Sequence, residues 1–325
     1  MKGCLAVQDE VLWLSAADVA ACELSPASIN DAVEAAFMAV SASQASTRPA
    51  LSIPAGGPSS FRAKGGVVNA EGFGAVKWYG YFPRNAALGQ AEFRPLILLN
   101  ETETGFPVAV INGDWITAVR TAAISAVGAR HLSRPESATV AFIGCGTQAR
   151  SNLEALQAVR PLRRAILHGN RPETTAAFAE FVRARGLEAE TSTDPRAALR
   201  EADIVVSTVP RLAARTHFLD AGWMAPGGFA AMVDSGVAWD GATMGAFEAR
   251  FSDDVAQSEG HAETGDVLTT YQGSLAQVVS GSCGRSHASQ RLALIFSGTG
   301  LADAAAAIAV YRAAQARGLG RRLPL

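Results

Sequence analysis

An α/β fold is predicted, with a doubly wound parallel sheet beside a separate α+β region, and three observations predict it. First, Val140–Leu156 (VAFIGCGTQARSNLEAL) reads as a buried strand, a glycine turn and a helix, with Gly144, Gly146 and Ala149 spaced as G-x-G-x-x-G/A. Second, residues 139–255 alternate short apolar runs with segments whose apolar residues recur at helical spacing, the pattern of a parallel sheet covered on both faces. Third, residues 1–110 carry many glycines and prolines and no such rhythm. The glycine turn makes the first of these regions Rossmann-type. Its first glycine permits the tight turn, its second lets a pyrophosphate approach the backbone, and the small third residue lets helix and sheet pack closely. The helix N-terminus offers free N–H groups and a partial positive charge to the phosphates.

The elements follow in chain order. Ser15–Cys22 and Ser28–Ser41 are helical, with Ser15 and Ser28 as N-caps. Gly74–Tyr81 and Arg94–Asn100 are strand-like, and Asn100–Gly105 (NETETG) turns a hairpin between Pro95–Leu99 and Phe106–Ile111. Asp114–Leu132 forms one long helix capped by Asp114. The strands Thr139–Gly144, Ala165–Gly169, Asp203–Thr208 and Phe229–Val233 enclose the helices Gln148–Val159 and Thr174–Arg185. The third of these strands carries Ser207 and Thr208 at its C-terminal end, where ligands lie in such sheets. Leu301–Arg317 is an alanine-rich helix that Gly318 ends.

Composition narrows the partners. The chain has 325 residues, 49% hydrophobic and 18% charged, with net charge −2. It is long enough for two domains. There is no basic excess to favour nucleic acid, and no apolar run approaches a membrane span. The first residues lack the order of a secretory signal. Cys4, Cys22, Cys145 and Cys283 form no CxxC pair, and the five histidines form no HxxxH or HExxH pattern. The expectation is a reduced, cytoplasmic protein without a metal. Cys145, inside the glycine turn, reads as a small turn residue rather than a nucleophile.

Three charged positions admit two readings each. In Ala75–Tyr81, alternation puts Ala75, Lys77 and Tyr79 on one strand face, so Lys77 is either solvent-facing or a functional cation. Arg120 lies in a nearly apolar helix, where it must pair with an acid or contact a ligand. Asp234 follows the apolar run Phe229–Val233, so it is either a strand-end functional carboxylate or a turn aspartate before Ser235-Gly236.

Taken together, VKWYGYFPRN (76–85), LILLNETETGFPVAVINGDWITAVRTAAISAVGARHL (96–132), VAFIGCGTQA (140–149), MVDSG (232–236) and FSGTGLAD (296–303) resemble the ornithine cyclodeaminase/μ-crystallin family over nearly the whole chain. The resemblance implies a substrate-binding and dimerisation domain, placed here at 1–125 with 302–325, and a Rossmann dinucleotide-binding domain at 126–301. It implies a homodimer acting on a small-molecule amino or imino acid. Arg48, Lys77 and Arg120 match the cations that hold the substrate α-carboxylate. Asp234 matches the acidic residue that acts on the substrate nitrogen or attacking water, and Lys77 also takes part in proton transfer. Gly144, Gly146, Thr147 and Gln148 match the dinucleotide loop; Thr121, Ser207, Thr208 and Thr299 are further expected cofactor contacts. The shared chemistry is hydride exchange between an amino acid's α-carbon and NAD(P), through an imine.

Two departures refine this. The strand ending at Gly169 is followed by Asn170 and Arg171, where NAD-preferring folds place an acid on the ribose. Asn170 does not repel a 2′-phosphate and Arg171 can clamp one, so NADP is expected as cofactor, with NAD as the alternative. Where ornithine-using members place an acid, this chain has Lys64, within Ser60–Gly66, a stretch that resembles the FKGG of iminosuccinate reductases. Lys64 is either a surface loop lysine or a substrate-binding cation that repels an ornithine ammonium. The expected activity is an NAD(P)H-dependent oxidoreductase that reduces an α-imino acid, possible dicarboxylic ones included, or interconverts an L-amino acid and its 2-oxo acid. The alternatives are a cyclodeaminase-type lyase that releases ammonia, and a non-catalytic NADP-binding, crystallin-like protein.

Overall fold

The structure, a computed structural model, describes residues 10–210, 217–261 and 269–325, so Cys4 lies outside the described residues. The chain divides into two compact units. The first comprises the chain up to Ser25, Ala42–Thr117 and Thr299–Leu325; the second comprises Pro26–Ser41 and Ala118–Gly298.

In the first unit, strands β1 (Glu10–Leu14), β2 (Ala45–Thr47), β3 (Leu51–Pro54), β4 (Ser60–Val68), β5 (Phe73–Tyr81), β6 (Leu96–Glu101), β7 (Pro107–Asn112) and β16 (Arg321–Pro324) form one mixed sheet. Its order is β16-β1-β7-β6-β5-β4-β2, with β3 also on β4. The expected hairpin forms: β6 and β7 pair antiparallel across a turn in which Gly105 takes φ 76°. Helix α1 (Ala16–Ala21) starts at a capping box in which Ser15 and Asp18 exchange backbone and side-chain bonds.

Helix α9 (Gly300–Arg317) packs on β4, β5 and β6 and is buried almost all round. Its alanines allow that, and two glycine positions demand it. A Cβ on Gly66 would lie 2.8 Å from the Leu301 Cα, and one on Gly300 would lie 2.5 Å from the Gly65 carbonyl oxygen. The helix start therefore sits directly on the β4 backbone. Alternation then sorts β5. Lys77 faces the helix side and is buried, while Trp78 faces away and is exposed. Trp78 lies opposite Ala63 on β4 and Leu96 on β6, and Leu51 on β3 lies opposite Ala63. Leu51, Ile53, Phe61, Trp78 and Leu96 are all exposed, so the sheet's outer face carries a connected apolar row.

In the second unit, β8 (Thr139–Ile143), β9 (Arg164–His168), β10 (Glu188–Thr191), β11 (Ile204–Ser207), β12 (Phe229–Met232), β13 (Ala249–Ser252), β14 (Gly273–Ser274) and β15 (Leu292–Ile295) form an all-parallel sheet, ordered β10-β9-β8-β11-β12-β15-β13-β14. The strands β10-β9-β8-β11-β12 follow the 3-2-1-4-5 part of the doubly wound order, and β15, last of the unit in the chain, takes the place beside β12, ahead of β13 and β14. The helices are α2 (Pro26–Ser41), α3 (Asp114–Leu132), α4 (Thr147–Gln157), α5 (Pro172–Arg183), α6 (Pro195–Glu201), α7 (Val255–His261) and α8 (Leu275–Val279). Parallel strands buried on both faces read as near-continuous apolar runs, and β8, β11, β12 and β15 do so.

Helix α3 crosses the boundary after Thr117, and its residues Thr121–Ala129 are buried throughout. Its last carbonyls would be orphaned inside the protein. Arg160 takes those of Ala129 and Arg130 at 2.6 and 2.8 Å, and Arg285 takes that of Leu132 at 2.6 Å.

Three features differ from the sequence expectations. Residues 26–41 belong to the second unit, and its divisions fall at Thr117 and Gly298 rather than after residues 125 and 301. The reason is packing: Asn30 on α2 donates to the Ala155 carbonyl on α4 at 3.0 Å, and Ser41 donates to Ala276 on α8 at 3.1 Å. Ser28 is not a cap but lies inside α2, which starts at Pro26, whose preset φ suits a first turn. Asp114 is the first residue of α3, where its charge favours the helix dipole, and its amide is taken by Asn112 Oδ1 at 3.1 Å.

Candidate functional site

In the second unit, the turn between β8 and α4 has the geometry a pyrophosphate requires. Gly144 takes φ 98°, and a Cβ there would lie 2.7 Å from Thr208 Oγ1. Only glycine meets both conditions. Gly146 is the N-cap of α4 and makes no side-chain cap bond, and a Cβ on it would meet only open space. The first amides of an eleven-residue helix thus point at an accessible region, with no side-chain cap among the described residues. Thr208 ties the next strand to the turn, donating its hydroxyl to the Gly144 carbonyl at 3.1 Å.

A cleft of about 420 Å³ opens here, lined by Gly144, Gly146, Asn170, Arg171 and Thr208 among others. Asn170 and Arg171 are exposed at the end of β9, and Arg171 is also the N-cap residue of α5. Thr147 is exposed and Gln148 half-buried on the first turn of α4. The residues present therefore fit a dinucleotide. Cys145 is buried, which pushes its thiol pKa up, so it behaves as a turn residue rather than a nucleophile.

Asp234 sits just past the C-terminal end of β12, where it has both a turn bond and a strand-end position. It makes the turn, its Oδ1 accepting from the Gly236 amide at 3.1 Å, with Ser235 at φ 59°. It is also a strand-end carboxylate whose Oδ1 accepts from Ser207 Oγ at 2.8 Å. Its Oδ2 is buried and has no hydrogen-bond partner among the described residues. Burial pushes its carboxyl up from 3.8 to about 6, against the opposing pull of the Ser207 hydroxyl and nearby backbone amides. A carboxyl that titrates near neutrality at a strand end is suited to taking and returning a proton.

Ser207 was expected to touch cofactor. It has no accessible surface, and its hydroxyl is engaged between Asp234 and the Trp239 indole. As the last residue of a fully buried strand, it faces the core rather than the cleft. Arg120 and Thr121 are both buried in α3, 6% and 8% exposed.

In the first unit, Lys77 is not solvent-facing. It is 2% exposed, with Nζ 2.8 Å from Asp303 Oδ1, 3.5 Å from Thr117 Oγ1 and 5.5 Å from the centre of the Tyr79 ring. Asp303, 1% exposed in the first turn of α9, was missed by the sequence reading. Its signal was a lone acid among the alanines of a helix buried all round. Lys64 is not in a loop. It lies in β4 directly opposite Lys77, half-buried on the same sheet face. Like charges placed so repel each other, which favours an anion beside them.

Arg48 is exposed just after β2, with one guanidinium nitrogen on the Thr47 carbonyl at 2.9 Å. Thr299 was also expected at the cofactor. It is fully buried as the N-cap of α9, its Oγ1 accepting from the Leu301 amide at 3.2 Å, because the helix start needs that acceptor. Among the described residues, no group of three or more His, Cys, Asp or Glu is placed to hold a metal ion, and no helix is long and apolar enough to cross a membrane.

The raised carboxyl of Asp234 has a consequence for stability. The folded protein holds this proton more tightly than the unfolded chain, so the favourable contribution is complete below about pH 3.8 and is lost as pH rises through about 6. Asp234→Asn is expected to stabilise the protein more at pH 7.5 than at pH 4.5, by on the order of 2 kcal/mol. Thermal unfolding at the two pH values checks this; an equal change at both would show that the carboxyl is not raised.

Comparison with known proteins agrees with this geometry. Residues 10–318 match the ornithine cyclodeaminase/mu-crystallin family. Δ1-pyrroline-2-carboxylate reductase of Bacillus cereus is 36% identical over 142 residues, 43% of this chain and 44% of that protein. Alanine dehydrogenase of Archaeoglobus fulgidus is 33% identical over 156 residues, 48% and 47% of the two chains. The chain thus matches less than half the length of each of these relatives. Solved structures match over nearly the full length. Thermococcus litoralis Δ1-pyrroline-2-carboxylate reductase in complex with NADH and L-proline gives a TM-score of 0.85 at 26% identity, covering 96% of this chain and 99% of that one. The iminosuccinate reductase of Paracoccus denitrificans in complex with NAD+ gives 0.86 at 25%, covering 97% and 100%. With the doubly wound sheet, its glycine turn and the family match over residues 10–318, this protein belongs to the ornithine cyclodeaminase/mu-crystallin family.

Proposed function

We propose that the protein is an NAD(P)H-dependent oxidoreductase that reduces an α-imino acid, or interconverts an L-amino acid and its 2-oxo acid. The observation that carries this reading is the second unit's pairing of a dinucleotide turn on β8 with a near-neutral carboxylate, Asp234, at the same end of the sheet. The bound nicotinamide supplies the hydride chemistry. In reduction Asp234 gives the proton at Oδ2 to the substrate nitrogen as the α-carbon receives hydride, and in the oxidising direction it takes that proton back. Lys77, Arg120 and Arg48 are assigned, by family resemblance, to the substrate α-carboxylate, which orients the α-carbon. Lys64, opposite Lys77, adds a second cation on that strand face and favours a substrate with an anionic or neutral side chain over ornithine. The names of the relatives, reductases of Δ1-pyrroline-2-carboxylate and iminosuccinate, lie in the same chemical class.

The test is nicotinamide absorbance with NADPH and NADH against Δ1-pyrroline-2-carboxylate, 2-oxo acids with ammonia, oxaloacetate with ammonia, and ornithine alone. Oxidation of the reduced cofactor with one imine class, lowered about 100- to 10,000-fold in Asp234→Asn, is the expected outcome. Ammonia release from ornithine without net oxidation would make the protein a cyclodeaminase and overturn the reading.

The finer cofactor preference proposed is NADP(H), in a cytoplasmic setting. Arg171 is exposed on the cleft with no ion-pair partner among the described residues, and Asn170 places no negative charge at the end of β9. A guanidinium on a 2′-phosphate makes charge-assisted bonds, so Arg171→Ala is expected to weaken NADPH about 10- to 100-fold and leave NADH nearly unchanged. Titration of both cofactors checks this, and unaltered NADPH affinity would overturn it.

The proposed assembly is a homodimer formed through the outer face of the first unit's sheet, supported by the exposed row Leu51, Ile53, Phe61, Trp78 and Leu96. Light scattering is expected to give twice the 33.7 kDa chain mass, falling toward the single-chain mass in Trp78→Lys/Leu96→Lys. An unchanged dimer in that variant would place the interface elsewhere.

A further inference from the structure

The hydrogen-bond donors around Asp234 dictate which of its oxygens takes a proton. Trp239 is fully buried, and its indole Nε1–H, 3.0 Å from Ser207 Oγ, can only donate. Ser207 Oγ therefore accepts on that side, and its own proton is directed at Asp234 Oδ1, 2.8 Å away. The Gly236 amide donates to the same oxygen at 3.1 Å. Oδ1 thus receives two donors, and a proton on it would displace one of them. Oδ2 is buried without a hydrogen-bond partner among the described residues.

We propose that Trp239 and Ser207 are positioning residues, a buried donor relay that commits Asp234 Oδ1 to the protein and assigns the exchangeable proton to Oδ2. This rests on the reading of Asp234 as the acid–base residue. The relay accounts for two polar groups in an otherwise apolar place. Ser207 ends the strand Ile-Val-Val-Ser, and Trp239 packs in a core cluster with Ile143, Met232 and Phe247. A valine and a phenylalanine would fill the same space without a buried polar atom to satisfy. Both polar groups are consumed by the one chain of bonds that ends on the carboxylate.

The relay also tunes the carboxyl. Burial raises it, while the Ser207 hydroxyl is the largest influence that lowers it, ahead of the backbone amides of Gly236 and Val209. Among the described residues no charged side chain is among the influences on it, and the donors that face Asp234 from β11, from the turn and from Val209 are neutral. Ser207 is therefore the side chain whose loss moves the titration.

Trp239 reports the state of Asp234 through a single hydroxyl, which makes the relay visible without a substrate. The chain has five tryptophans, and Trp239→Phe identifies the Trp239 indole N–H in a 15N-labelled sample. In the wild type that resonance is expected to titrate with a midpoint of about 6. In Asp234→Asn the titration disappears. In Ser207→Ala the Trp239 resonance no longer follows the carboxyl, and the acid limb of turnover moves up by roughly one pH unit with cofactor affinity unchanged. Retention of the other four indole resonances shows that the variant is folded. If Ser207→Ala loses them, Ser207→Cys, a weak donor of similar size, is expected to shrink the titration instead.

A Trp239 resonance that is flat from pH 4.5 to 8 in the wild type overturns the relay. So does one that titrates identically in the folded Ser207 variant. Full turnover in Asp234→Asn overturns the acid–base reading alone, because the indole titration tests the relay independently of catalysis.

Discussion

Lys77 and Asp303 are both almost entirely out of water, at 2% and 1% exposure, and their 2.8 Å contact is the condition on which the first unit's arrangement rests. Neither charge is tolerable alone: removing one partner of such a pair leaves a buried charge at a cost of about 3–5 kcal/mol. The pair forms only if the first turn of α9 reaches β5. That turn reaches it because Gly66 and Gly300 let helix and strand backbones meet with no Cβ between them. Two glycines, one aspartate and one lysine, far apart in the chain, thus express a single geometric requirement. Lys64, opposite Lys77, then adds a second positive group to the same strand face.

The second unit is governed by a related constraint. A parallel sheet covered on both faces has little room for polarity along its strands, so chemistry collects at their carboxyl ends. The glycine turn, Thr208, Asn170 and Asp234 all stand there. Asp234 shows how a strand end differs from a solvated loop. Burial penalises its charge, and the donors to it among the described residues are neutral. The resulting carboxyl near neutrality disfavours the folded state at physiological pH, the usual conflict between a prepared acid–base group and stability.

Much of this was legible in the chain as written. The strand–turn–helix at Gly144 was readable because the backbone conformation it needs excludes every other residue type, and the structure places φ 98° and a near-contact with Thr208 at that position. The end of β12 at Asp234 was readable from the apolar run before it. The strands β10, β13 and β14 were not, because Glu-Ala-Glu-Thr and Ala-Arg-Phe-Ser carry no continuous apolar run and β14 has two residues; β15, Leu-Ala-Leu-Ile, carries such a run and was overlooked. The bonds of Ser207 and Thr299 were not readable either, because a hydroxyl looks the same in sequence whether it faces a ligand, a carboxylate or a helix start.

The sequence by itself determined the doubly wound sheet, its dinucleotide turn and the family, since these rest on local periodicity, on glycine's conformational freedom and on linear motifs. Only the tertiary structure decided the state of the charges. That Lys77 is buried against Asp303, that Lys64 stands opposite it, and that Asp234 is held by one oxygen through Ser207 and Trp239 are facts about distance and desolvation. Each involves groups from 13 to 226 residues apart, which only the folded chain brings within hydrogen-bond or cross-strand reach.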